Sequence, residues 1–260
     1  MIAGNGSASS GGVVSAALDH FGARTLAALP PRVFPVALDV GAGSGLSLAT
    51  LGDRCPTLLA VDLDPAALPD GATAAQWSAT CLAADAEHLP VRDGVVDLIH
   101  WGFLAPHVRD LQAALREAAR VLRPGGTFAA VTWVSRGGSP LTGIMSDLLA
   151  RCQSQPDRAR AAWAEVATRS ERFADECAVA GLDVWYTTKH EWFVMADSTS
   201  HWRASLLGET TGLSRALWAL NKDDRAAILR EFSAAASQYI LADGQLSIPC
   251  RAVVLMAERP

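Results

Sequence analysis

Val36-Ala37-Leu38-Asp39-Val40-Gly41-Ala42-Gly43-Ser44-Gly45 joins an apolar half to a glycine-rich half. An apolar run of this length just before glycines suits the interior of a parallel sheet, so Val36 to Val40 reads as a buried strand. Gly41, Gly43 and Gly45 carry no β-carbon, which lets the backbone bend sharply and a ligand approach the main chain. Leu46 to Leu51 reads as the start of a helix. Strand, glycine turn and helix in that order build a nucleotide site in α/β folds. The spacing narrows the ligand. A dinucleotide fingerprint needs its third glycine at position 46, which holds Leu46, and a phosphate-binding loop needs a lysine that this turn lacks. Asp39 on the incoming strand would repel a pyrophosphate and attract an ammonium group.

Outward from the turn, Thr57 to Val61 is an apolar strand that ends in Asp62, with Leu63, Asp64 and Pro65 after it. Asp62 lies 21 residues after Gly41, the length that one helix and one strand consume before the chain returns beside the turn. A carboxylate there can accept from both hydroxyls of a ribose. Asp64 before Pro65 reads as the cap of a following helix. Cys81 to Pro90 contains Asp85-Ala86, a carboxylate beside a backbone amide, the pair that adenine's exocyclic amine and N1 require. Val95 to Trp101 reads as the strand that crosses to the other half of the sheet, which places His100 to His107, including Trp101, along the pocket at the switch point. The helix Leu111 to Leu122 carries a continuous apolar stripe, Arg123-Pro124-Gly125-Gly126 ends it, and Thr127 to Trp133 is the next strand.

The Gly-x-Gly-x-Gly turn preceded by Asp39 resembles motif I of the class I methyltransferases that use S-adenosylmethionine (SAM). Asp85-Ala86-Glu87-His88-Leu89-Pro90 is similar to the Asp-Ala-Glu-x-Leu-Pro segment of their small-molecule members, and Glu117-x-x-Arg120-Val121-Leu122-Arg123-Pro124-Gly125-Gly126 matches a further common element, structural rather than chemical. The resemblance runs from Ala37 to Trp133 and is strongest to the ubiquinone and menaquinone biosynthesis type. It implies a doubly wound, mostly parallel seven-stranded α/β sheet of Rossmann-like form, closed by an antiparallel hairpin of the last two strands. SAM is the implied cofactor and S-adenosylhomocysteine its product. The implied cofactor contacts are Asp39, Gly41, Ala42, Gly43, Gly45, Asp62, Leu63, Asp85, Ala86, His100 and Trp101. His107 sits where related chains often carry a histidine, which makes it the first choice of catalytic base, ahead of His100, His190 and His201.

The domain organisation expected is an N-terminal helical cap over 1–30, a SAM-binding core over 31–190, a helical lid for the substrate over 191–243 and a final core strand over 244–260. Val13 to Leu29 has helical spacing and stops at Pro30-Pro31. Ser139 to Gln153 and Gln155 to Ala180 read as helices, with Gly181 as the stop before a strand at Asp183 to Glu191. Asn221 and Asp224 read as a capping box for a helix to Ile240, and Arg251 to Glu258 is the last strand. Trp133, Trp163, Trp185, Trp192, Trp202 and Trp218 all lie beyond the cofactor half, where they suit the wall of a pocket for a flat or apolar molecule.

With 260 residues, half of them hydrophobic and 19% charged, the chain has the composition of a soluble globular protein. A net charge of -5 without a basic stripe argues against a nucleic-acid substrate. Five cysteines at 55, 81, 152, 177 and 250 share no metal spacing, so they read as reduced thiols of a cytoplasmic protein without a metal site. No apolar run reaches the length of a membrane span. The function expected is methyl transfer to a small-molecule acceptor in quinone or natural-product metabolism, by a monomer or homodimer. The alternative is a methyltransferase fold that keeps SAM as a structural cofactor and catalyses another reaction, such as a cyclisation.

Overall fold

The computed structural model describes residues 13–134, 139–152, 172–196 and 216–260. Helix α1 (Val13–Ala27) precedes strand β1 (Val36–Val40), helix α2 (Leu48–Gly52), strand β2 (Thr57–Asp62), helix α3 (Gly71–Gln76) and strand β3 (Ala79–Ala83). Strand β4 (Val96–Gly102), helix α4 (Leu111–Val121) and strand β5 (Leu122–Trp133) follow. Beyond them lie α5 (Pro140–Arg151), α6 (Phe173–Val179), β6 (Asp183–Ala196), α7 (Lys222–Ala236) and β7 (Leu246–Glu258).

The seven strands form one sheet in the order β3-β2-β1-β4-β5-β7-β6. β1 pairs in parallel with both β2 and β4, so consecutive crossovers leave β1 in opposite directions and open the crevice between β1 and β4 where ligands collect. β2 with β3 and β4 with β5 are also parallel. β7 runs against β5: the Gly125 N–H donates to the Arg259 carbonyl at 2.8 Å while the Val134 N–H donates to that of Arg251 at 3.0 Å, so one index rises as the other falls.

Alternation along each strand sorts the core into two layers. Leu38, Val40, Ile99, Trp101, Phe128 and Ala130 face one side and pack with the buried stripe of α4, namely Leu111, Ala114, Leu115, Ala118 and Val121, and with Phe173 and Cys177 of α6. Asp39 and His100, register partners on neighbouring strands, share the other side. The Asp110 side chain caps α4 by accepting from the Ala113 N–H at 2.9 Å.

Several boundaries differ from the expected ones. Asp64 caps no helix; its carboxylate accepts from the Ala66 N–H at 2.9 Å in an isolated turn, and Asp70 caps α3 instead. β5 begins at Leu122 and runs through the Gly125-Gly126 pair read as a helix stop, because the Arg259 backbone supplies ladder partners to both glycines. The Asn221 side-chain Oδ1 accepts from the Asp223 and Asp224 N–H groups, whereas the Asp224 carboxylate takes the Asn221 side-chain amide rather than the capping residue's backbone. Aspartate is one methylene shorter than the glutamate of a capping box. α7 ends at Ala236 and a 3-10 turn over Ser237–Tyr239 continues it. β6 and β7 are both longer than the strands expected there.

Two compact units divide the described chain. One comprises 19–132, 169–190 and 252–260 and contains the glycine turn; the other draws on 1–18, 133–168 and 191–251. Within the second, α5 packs against α7 with an exposed Arg151–Glu231 ion pair. Most of the helix expected over Gln155 to Ala180, together with Trp163, His201, Trp202 and the first part of the expected lid, lies outside the described residues. Among the described residues no helix is long and apolar enough to cross a membrane.

Candidate functional site

The glycine turn is held by the strand end beside it. The Gly41 and Ala42 N–H groups both donate to the Val61 carbonyl, at 2.8 and 3.0 Å, and the Gly43 N–H donates to Asp62 Oδ2 at 2.9 Å. Gly41, Gly43 and Gly45 have φ of +74°, +50° and +83°, the left-handed region that glycine enters without a steric penalty. Their surroundings differ. A β-carbon at Gly41 would meet Leu104 Cδ1 at 2.8 Å and one at Gly45 would meet Pro69 Cγ at 2.7 Å, whereas one at Gly43 would find no atom within 4 Å. The turn therefore opens to the outside over Gly43, and its leading amides are already bonded to protein oxygens. At these leading residues a phosphate would find N–H groups already bonded and a carboxylate beside them. A nucleoside without phosphate suits the opening.

Asp62 is half-buried at the end of β2, with Oδ2 on Gly43 and Oδ1 accepting from the Asp64 N–H at 3.0 Å. Each carboxylate oxygen keeps a second lone pair, so both can still accept from a diol. Leu63 beside it is 72% exposed. In the next loop, Asp85 Oδ1 accepts from the Glu87 N–H at 2.9 Å and Oδ2 lies 3.4 Å from Arg109 Nη2. Ala86 is buried, and no hydrogen bond among the described residues uses its N–H.

Asp39 lies beneath the turn and is 1% exposed. Oδ1 is 2.8 Å from His100 Nδ1, and Oδ2 accepts from the Ser47 hydroxyl. Both oxygens are thus engaged by the protein, which the picture of an acid simply attracting an ammonium group did not include. Trp101 faces the opposite layer: its ring packs edge-on against Phe128, with centroids 5.0 Å apart, and is 1% exposed. Alternation along β4 puts His100 on the turn side and Trp101 in the core, so the two side chains named together as cofactor contacts cannot face one ligand.

His107 ends a 3-10 turn, Ala105–His107, in which its N–H donates to the Leu104 carbonyl at 2.8 Å. Solvent reaches the ring, yet the surrounding protein desolvates it enough to push its pKa below the ordinary imidazole value, with the Asp62 charge opposing that shift. His107 therefore stands within electrostatic reach of the carboxylate that holds the glycine turn. His190 is half-buried with its pKa lowered by burial and by Arg24. Of the tryptophans, Trp185 and Trp218 are exposed, and the Arg225 guanidinium lies over the Trp218 ring at 4.7 Å.

Residues 38–130 match the family model described as "Methyltransferase domain". Over this stretch the chain is similar to methyltransferase domains. A malonyl-[acyl-carrier protein] O-methyltransferase of Dechloromonas aromatica is 45% identical over 94 residues, 35% of this chain and 34% of that protein. A demethylmenaquinone methyltransferase of Roseiflexus castenholzii is 37% identical over 137 residues, 50% of this chain and 56% of that protein. The chain thus spans between about a third and about half the length of these curated relatives. Among solved structures, the YcgJ protein of Bacillus subtilis aligns with a TM-score of 0.58 at 18% identity, covering 92% of this chain and 98% of that one, a likeness of fold.

Three residues that organise this region escaped the sequence reading. Glu87, buried, accepts from the Arg109 and Asp110 N–H groups at 2.9 and 3.0 Å and so ties the loop after β3 to the start of α4. Arg120, taken as a marker, clamps the same loop: its guanidinium reaches the carbonyls of Leu89 and Val91, both at 2.9 Å, and the carboxylates of Glu117 and Asp93. Ser47 leaves the end of α2 uncapped and spends its hydroxyl on Asp39. Only a serine in the turn after a glycine motif hinted at it.

Proposed function

We propose that this chain binds SAM through its methyltransferase domain and transfers the methyl group to a small-molecule acceptor of quinone or natural-product metabolism. The observation that carries this reading is the glycine turn, whose amides are consumed by Val61 and Asp62 while the space over Gly43 stands open beside a half-buried carboxylate. SAM supplies a methyl group already activated by a sulfonium, so the protein's task is chiefly alignment. Asp62 holds the ribose hydroxyls, Gly43 leaves room for the nucleoside, and Asp85 with the free Ala86 N–H receives the adenine edge. Leu63, exposed at the strand end, lies against the base. His107, neutral near pH 7 because its pKa is lowered, takes the acceptor's proton. The choice of acceptor falls to residues 191–243, of which 191–196 extend β6.

The test is incubation of the protein with methyl-deuterated SAM and fractions of small-molecule extract, followed by mass spectrometry. The reading predicts a product heavier by one deuterated methyl and an equal amount of S-adenosylhomocysteine. Conversion of a substrate with SAM recovered intact would contradict it and favour a non-methylating reaction on the same fold.

A further inference from the structure

Helix α1 turns two basic side chains to one side. His20 and Arg24 stand four residues apart, one above the other on the helix surface, while Phe21 beside them is fully buried. His20 is half-buried and Arg24 exposed. The His20 and Phe21 rings meet edge-on with centroids 5.3 Å apart, and Phe21 meets Phe103 in the same way at 6.4 Å. Phe103 is the first residue past the carboxyl end of β4, and its φ of +61° is a left-handed conformation that bulky side chains seldom adopt away from functional sites. This aromatic chain leads from the carboxyl edge of the sheet, where the glycine turn lies, to the His20 ring.

Strand β6 adds a third group. Residues 19–27 and 183–190 belong to one compact unit, and exposure alternates along β6, so Lys189 lies on the exposed face and His190 on the half-buried one. His190 stands within electrostatic reach of both His20 and Arg24. Burial, then Arg24 and then His190 hold the His20 ring below the ordinary imidazole range, and burial and Arg24 do the same to His190.

Charge is unbalanced there. Arg24 keeps its proton at every working pH, whereas both imidazoles can gain one. The neighbouring carboxylates are turned elsewhere. Asp19 lies on a different side of α1 from Arg24, and burial pushes its carboxyl up with no cation holding it down. Glu191 shares the exposed face of β6 with Lys189 and pairs with Arg251 at 2.6 Å. Among the described residues neither Arg24 nor His190 forms an ion pair or a hydrogen bond with a protein group. One fixed positive charge beside two neutral imidazoles can present one to three positive charges and several N–H donors, a set that a carboxylate or a phosphate uses and a neutral ligand does not.

We propose that His20, Arg24 and His190 form a subsite for an anionic group, a carboxylate or a phosphate, carried by the methyl acceptor. This rests on the methyl-transfer reading above for the anion's carrier, and on α1 and β6 alone for the anion.

The test is an imidazole NMR titration of the whole chain without cofactor from about pH 5 to 8, in plain buffer, with benzoate as a carboxylate probe and with sulfate as a non-titrating stand-in for a phosphate. An anion that prefers the protonated rings tenfold raises the midpoints of His20 and His190 by about one pH unit, saturably, and leaves exposed His88 where it was. Anion affinity is then greatest below the midpoints found in plain buffer and is lost as pH rises through the raised ones. A response to benzoate alone makes the group a carboxylate, and one to sulfate alone a phosphate. Arg24→Gln should abolish the response and Arg24→Lys restore most of it. Midpoints that neither anion moves, a shift that His88 shares, or a full response in Arg24→Gln would overturn the proposal. Because no cofactor takes part, failure of the chain to bind S-adenosylhomocysteine would remove the methyl acceptor as carrier while leaving the anion response to be read on its own.

Discussion

Asp62 does two jobs through one carboxylate, holding the turn through Gly43 and Asp64 and facing the open side where a ribose would lie. Asp62→Ala should therefore weaken S-adenosylhomocysteine by about 2 to 4 kcal/mol, since it strands two ligand hydroxyls and loosens the turn together. Asp85→Asn keeps an acceptor and should cost less; normal binding by Asp62→Ala would move the ribose contact elsewhere. His107 gives a pH signature. Its pKa is lowered, so the unfavourable charged form gathers only well below neutrality, and the ascending limb of turnover against pH should lie below the ordinary imidazole pKa. His107→Gln should remove that limb and lower turnover ~100-fold while leaving cofactor affinity within about twofold. Persistence of the limb in the variant would assign it to another group. At this scale the sequence was legible wherever a side chain acts through its own type and spacing, as Asp62 does. It was silent wherever pairing crosses strands: nothing in the run Leu98 to Trp101 announces that His100 faces Asp39 while Trp101 faces Phe128.

The elements were readable for the same reason that some of their ends were not. Continuous apolar runs mark β1, β2 and β4, and a periodic stripe marks α4, because those residues are the buried ones. Boundaries answer to tertiary partners instead. Leu122 to Gly126 joins β5 because Arg259 lies alongside it, 133 residues further on than Gly126, and no local signal carries that. The loop between β3 and β4 is similarly fixed from afar, by Arg120 and Glu87. Arg120→Ala strands the carbonyls of Leu89 and Val91 and the Glu117 carboxylate, and should lower stability by about 1 to 3 kcal/mol in chemical denaturation. Because that loop carries Asp85 and Ala86, cofactor affinity should fall too, and Arg120→Lys should rescue little, since a point charge cannot reproduce a planar fork. Unchanged stability in Arg120→Ala would show that the clamp is redundant.

Across the molecule, one sheet carries the glycine turn at its centre, and the buried carboxylates Asp39, Glu87 and Asp97 each enter the interior with a partner. The cysteines follow the same division. All five are free; burial pushes the Cys55 thiol up to about 11 and that of Cys250 up to about 12, raises that of Cys177 as well, and leaves Cys152 exposed. A thiol reagent at pH 8 should therefore find Cys152 quickly, Cys81 more slowly and the other three only on unfolding. Rapid titration of all five would contradict the described core. The division into two compact units was not legible as such, since it cuts through β6 and through α1, where periodicity continues without a break. The central claim concerns what the open turn receives: a nucleoside bearing an amino acid and no phosphate. Titration of the whole chain with S-adenosylhomocysteine, NAD and ATP in one calorimeter tests it most directly. Saturable binding of S-adenosylhomocysteine at one site per chain, with no heat from NAD or ATP, is the predicted result. Tight binding of NAD or ATP with no response to S-adenosylhomocysteine would contradict it.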